Sequence, residues 1–149
     1  MFDSLEIIKE KSHKDASLKL NELITQFIQK NEKFNLGLSG GNTPKFFYKT
    51  FAELNQENSD ITLWTIDDRH VHLEDDISNQ GMINSIFNKT KMNILELQFN
   101  EDPNKSAEDY SRLVFSKIQS FDSAILGVGD DGHIASLSVS YTHLRAHET

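Results

Sequence analysis

Two hydrophobic periods alternate along the chain. From about Lys14 to Gln29, Leu18, Leu20, Leu23, Ile24, Phe27 and Ile28 recur at mixed i, i+3, i+4 spacing. That is the signature of an amphipathic helix laid on a core. The run Phe34 to Ser39, FNLGLS, reads as a short strand. After a glycine turn, KFFYKTFAEL reads as a helix with Phe46, Phe47, Phe51 and Leu54 on its apolar face. Pro44 suits the first helical turn, where its missing N–H costs nothing, and Thr43 or Asn42 can cap it. Ile61 to Asp67, ITLWTID, is a second strand. Ser78 is placed to cap a helix running to about Asn88, with Met82, Ile83, Ile86 and Phe87 inward. Ile94 to Phe99 reads as a short strand or extended link, and Asp102-Pro103 opens a helix to about Ser120 striped by Tyr110, Leu113, Val114 and Ile118. The apolar run Ala124-Ile125-Leu126 is a last strand, ending in Gly127-Val128-Gly129. Strands alternating with helices predict an α/β fold with a mainly parallel sheet flanked by helices.

The chemistry sits where strands end. In open α/β sheets, ligands bind outside the carboxyl ends of the strands. Three such ends carry distinctive residues. The first is Ser39-Gly40-Gly41-Asn42-Thr43-Pro44, a strand, glycine turn and helix start. It aims free N–H groups and a helix dipole at one spot, a ready cradle for phosphate. An ordinary tight βα turn explains the glycine pair equally well, and neither Walker nor GxGxxG spacing is present. The second is Asp67-Asp68-Arg69-His70-Val71-His72. Arg69 can grip a phosphate or carboxylate bidentately, or pair with Asp67 or Asp68. His70 and His72 point the same way on an extended segment; without a third ligand they read as solvated or hydrogen-bonded rather than metal-binding. The third is Asp130-Asp131-Gly132-His133. Histidine titrates nearest neutrality and is the default general base.

Composition narrows the partners. A length of 149 residues suits one domain, and a net charge of −8 disfavours nucleic acid or an anionic membrane as partner. It leaves room for a small anion held locally. With no cysteine, the chain has no thiol nucleophile or thiolate metal site. The opening MFDSLEIIKEK lacks the apolar stretch of a signal peptide, and no apolar run is long enough to span a bilayer, so a cytoplasmic protein is expected.

Taken together and in order, Leu38-Ser39-Gly40-Gly41-Asn42-Thr43-Pro44, Asp67-Asp68-Arg69-x-Val71 with Ser78-Asn79-x-x-Met82, and Gly127 to Leu137 (GVGDDGHIASL) resemble the 6-phosphogluconolactonase family. The resemblance covers about Phe34 to Leu137. It implies a Rossmann-like fold of the NagB/RpiA/CoA transferase-like kind. It also implies hydrolysis of 6-phospho-D-glucono-1,5-lactone to 6-phosphogluconate in the oxidative pentose phosphate pathway, with no metal and no organic cofactor. His133 would activate water, with Asp131 orienting or stabilising its imidazole. Backbone N–H groups around Gly129 to Gly132 would stabilise the oxyanion. Ser39, Gly40, Gly41, Asn42, Thr43 and Arg69 would hold the 6-phosphate, and Asp67 would meet sugar hydroxyls or the loop. The related glucosamine-6-phosphate deaminases favour TGSTP, DEY and a glutamate after the histidine, where this chain has SGGNTP, Asp67-Asp68-Arg69 and Ala135-Ser136-Leu137-Ser138. A non-catalytic sugar-phosphate-binding module is the other alternative.

The chain departs from the lactonase pattern at Asp68 (Glu is usual), His72 (Pro) and Asn42 (Ser). The final SVSYTHLRAHET, residues 138–149, continues neither the family pattern nor any strand or helix period. Residues 1–137 are therefore expected to form a partial lactonase-like domain, incomplete at its C-terminus, and residues 138–149 a foreign tail. An incomplete domain that is unstable and inactive is a further alternative for this chain, since uncovered strand edges invite aggregation.

Overall fold

The computed structural model describes residues 6–137. The elements run α1 (His13–Ile28), β1 (Phe34–Leu38), α2 (Lys45–Leu54), β2 (Ile61–Thr65), α3 (Asn79–Phe87), β3 (Asn93–Leu95), α4 (Pro103–Lys117) and β4 (Ser123–Ile125). The four strands form one sheet in the order β3-β2-β1-β4, and every pairing is parallel. The expected α/β fold is thus present. The expected foreign tail, 138–149, lies outside the described residues.

Strand alternation sends side chains to two unlike faces. On one face Phe34, Leu36, Leu38, Ile61 and Leu63 meet Ile24 of α1, Phe47, Tyr48 and Phe51 of α2, and Ile83 and Phe87 of α3. Leu36, Leu38, Phe51, Tyr48, Leu63 and Ile83 are fully buried there. Among the described residues, the other face carries α4, where Leu95, Val114 and Ile118 form a small cluster edged by Trp64, Tyr110 and Leu113. Gly37 serves this second face. A Cβ on it would lie 2.5 Å from the Trp64 ring, so the close approach of indole to backbone requires glycine.

Two helices are rotated from the sequence expectation. On α1, Leu18 and Phe27 are exposed, while Ser17 and Asn21 are buried. Asn21 Nδ2 donates to the carbonyls of Ser17 (3.1 Å) and Phe47 (3.4 Å), so a polar bridge to α2 sets which way α1 faces. On α2, the buried face is Phe47, Tyr48, Phe51 and Ala52; Phe46 and Leu54 point outward. Tyr48 fixes this phase, because its hydroxyl donates to the Ser39 carbonyl at 2.8 Å. Burial pushes that hydroxyl up to about 12, partly offset by Ser39.

Tyr110 does the same work from the opposite face. Its hydroxyl accepts from Thr65 N at 2.7 Å and donates to Thr65 O at 3.0 Å. Burial pushes this phenol up to about 12 as well. The carboxyl ends of the two central strands are thus each clamped by one tyrosine. Register does the rest. Leu38 is paired with both Thr65 and Ile125. The three loops that follow therefore leave the sheet side by side.

Candidate active site

Those loops enclose a cavity of about 220 Å³ lined by Ser39, Gly40, Gly41, Thr43, Asp67, Arg69, Asn79, Gly129 and His133, among others. Residues separated by most of the chain meet because parallel strands in register put all their carboxyl ends at one edge.

The first loop leaves several backbone donors without partners. Gly41 has φ +88°, a left-handed conformation that needs glycine. Pro44 stands at the start of α2 in helical conformation with no side-chain cap, contrary to the expected role of Thr43 or Asn42. The backbone turn replaces the cap: Lys45 N donates to Asn42 O at 3.3 Å. Among the described residues, the N–H groups of Gly40, Gly41 and Thr43 have no acceptor. Ser39 Oγ is buried without a hydrogen-bond partner, on a residue lining the cavity. Asn42 is the exception to the expected set. It is exposed, does not line the cavity, and contributes its carbonyl to the turn. His13 of α1 braces the loop from outside, its Nε2 lying 2.6 Å from Thr43 O.

The second loop splits the work of its charged residues. Asp68 caps α3: its carboxylate accepts from Asn79 N (2.7 Å), Gln80 N (2.8 Å) and Ser78 Oγ (3.2 Å). Asp67 accepts from Ser136 Oγ at 2.6 Å and so ties the second loop to the third. Arg69 forms no ion pair among the described residues. Its Nη1 donates to Ile77 O and to Asn79 Oδ1, both at 2.9 Å. The alternative in which Arg69 neutralises Asp67 or Asp68 is not realised. His70 and His72 pack on Phe99, with ring centroids 4.8 and 3.9 Å away, and His70 Nε2 lies 2.7 Å from Asn100 O. They are occupied in holding the 70–100 region.

The third loop carries the titratable pair. His133 Nδ1 is in hydrogen-bond contact with the Asp131 carboxylate. That bond holds Asp131 below the usual carboxylate range. With Nδ1 donating to Asp131, the histidine keeps its lone pair on Nε2, the form a general base needs. The ring lies against Gly129, where a Cβ would sit 2.1 Å from His133 Cε1. The expected oxyanion donors need correcting. Gly129 N donates to His133 O and Gly132 N donates to Gly129 O, both at 2.9 Å. The tight turn that presents the histidine uses both N–H groups, and Gly132 does not line the cavity. Asp131 also stands outside the lining and reaches it only through His133.

Sequence reasoning singled out Asn79 only as part of a motif. The structure puts it in the wall between the first two loops. A Cβ on Gly40 would lie 1.8 Å from its Oδ1. The signal was available in its place at the first turn of a helix that follows a charged strand end.

The sequence matches the family described as glucosamine-6-phosphate isomerases/6-phosphogluconolactonase over residues 9–149. This chain belongs to that family. It is 32% identical over 130 residues to a putative 6-phosphogluconolactonase of Caenorhabditis elegans, covering 79% of this chain and 48% of that protein. It is 32% identical over 123 residues to the 6-phosphogluconolactonase of Thermotoga maritima, covering 80% and 56%. The crystal structure of 6-phosphogluconolactonase from Thermotoga maritima superposes with a TM-score of 0.78 at 29% identity, covering 89% of this chain and 62% of that one. The chain spans about half the length of the curated relatives it matches. Among the described residues, no helix is long and apolar enough to cross a membrane.

Proposed function

We propose that this family member hydrolyses 6-phospho-D-glucono-1,5-lactone to 6-phosphogluconate, in the cytoplasmic oxidative pentose phosphate pathway. One observation carries the reading. Among the described residues, a cradle of N–H groups without acceptors and an Arg69 without an ion pair face His133, held from behind by Asp131, across a single cavity. The cradle and Arg69 suit a phosphate monoester, since backbone donors and a guanidinium together neutralise it. His133 Nε2 suits removal of a proton from water as it attacks the lactone carbonyl. It then returns the proton to the departing ring oxygen. Asp131 holds the imidazole in the required tautomer and orientation. Asp67, anchored by Ser136, is placed for sugar hydroxyls. The reaction needs neither metal nor organic cofactor for its proton transfers.

The test is turnover of freshly generated lactone, following 6-phosphogluconate above the spontaneous rate. His133→Ala is expected to lower the enzymatic rate by about 10²–10⁴-fold, the usual contribution of a general base. An unchanged rate would remove His133 from the mechanism. Ammonia release from glucosamine 6-phosphate would point to the deaminase chemistry of the same family, and phosphosugar binding without any turnover to a binding module.

A further inference from the structure

We propose that Asn79 is a positioning residue that aims Arg69 at a phosphate monoester while leaving its charge uncancelled. This rests on the reading of the cavity as a sugar-phosphate site. Asn79 is 5% exposed and lines the cavity between the first two loops. Its backbone N–H is held by Asp68 Oδ1 at 2.7 Å. Its Nδ2 donates to Asp67 O at 2.8 Å, and its Oδ1 accepts from Arg69 Nη1 at 2.9 Å. A guanidinium only donates and a carbonyl only accepts, so the two partners admit one orientation of the amide.

The neutrality of the amide matters as much as its shape. A carboxylate at this place would pair with Arg69 and cancel the charge that a phosphate needs. The carbonyl of Ile77 is the guanidinium's other partner, and it too is neutral. Arg69 is thereby oriented by two oxygens without an ion pair. Among the described residues its remaining side-chain N–H groups have no acceptor, so they can fork onto an anion. Gly40 belongs to the same device. No larger residue fits against the amide, so the phosphate loop comes up against the group that aims the arginine.

The experiment is calorimetric titration of the 149-residue chain with 6-phosphogluconate and with inorganic phosphate. Wild type, Asn79→Asp, Asn79→Ala, Arg69→Ala and the Arg69→Ala/Asn79→Asp double variant are compared, with a thermal transition recorded for each. Asn79→Asp is expected to weaken both ligands by about ten- to a hundredfold, the range for losing a charge-assisted contact. Asn79→Ala, which adds no charge, is expected to weaken them less. In the Arg69→Ala background, Asn79→Asp is expected to add little, because coupled residues are not additive. An Ala variant at least as damaging as the Asp variant, or fully additive losses, would reduce Asn79 to a structural residue. Wild-type binding unaltered by Asn79→Asp would overturn this inference alone. Failure of the wild type to bind either ligand would overturn the sugar-phosphate site with it.

Discussion

Ser39, Gly40 and Asn79 form one wall of the cavity; Gly129 and His133, with Asp131 behind the imidazole, form the other. The first wall rests on the two central strands and the fully buried side chains of α2 and α3. Its contacts cross between elements: Tyr48 to Ser39, Asn79 to Asp67 and Arg69. The second wall hangs from β4, a three-residue strand whose one neighbour among the described residues is β1. Its described contacts are mostly within the loop itself, and among the described residues Ser136 to Asp67 is its one side-chain tie to another motif. Leu126, Val128 and Leu137 around it are more than half exposed, at 51%, 70% and 54%. The proposed phosphate cradle is thus built into the well-buried body of the fold. The proposed proton-transfer pair stands on a part with little burial to hold it, and regions of low burial open most readily.

This contrast is open to direct attack. The largest effect is expected in the core behind the first wall. Phe51→Ala should destabilise the chain by about 3–5 kcal/mol, as large-to-small changes at buried aromatics do. Leu126→Ala beside the second wall should stay within about 0.5 kcal/mol, as exposed substitutions do. Chemical denaturation of both measures the difference, and equal losses would erase the distinction.

The two cavity glycines come next. Gly40→Ala drives a methyl into buried Asn79 and should cost about 1–3 kcal/mol through overpacking. Gly129→Ala drives one into the half-exposed His133 ring, which can swing away. Its expected signature is lost lactone turnover with a nearly unchanged melting temperature. A melting temperature that falls as far as for Gly40→Ala would show the second wall to be as rigid as the first.

The smallest effect is on titration. The bond to His133 depresses the folded-state pKa of Asp131. The contribution of that contact is therefore complete above the ordinary carboxylate pKa and is lost as pH falls through the depressed value. Because Asp131 is fully exposed, this should be visible by NMR at its side-chain carboxyl and scarcely in stability. His133→Ala should return Asp131 toward its ordinary value.

Much of the fold was legible in the chain. Ser78 and Asp102 cap α3 and α4 as their sequence context predicts. Local capping and apolar periodicity act within a few residues, so they leave a local trace. The phases of α1 and α2 left none, because Asn21 and Tyr48 set them through bonds to distant carbonyls. The same holds in the site. His133 beside Asp131 could be expected from their separation in sequence, and so could a loop of free N–H groups after β1. That Asp68 would serve α3, that Asn42 would turn outward, and that Gly129 and Gly132 would use their N–H groups on their own turn could not.

The sequence by itself determined the alternation of strands and helices, the three chemistry-bearing strand ends and the family to which they belong. Each of those is written in short windows of residue type and spacing. Only the tertiary structure decided that Arg69 would be aimed by an amide from the next helix, with no acidic partner among the described residues. That outcome depends on which of several oxygens lies within 3 Å of a flexible guanidinium once β2, α3 and the glycine loop have packed, and no local pattern encodes it.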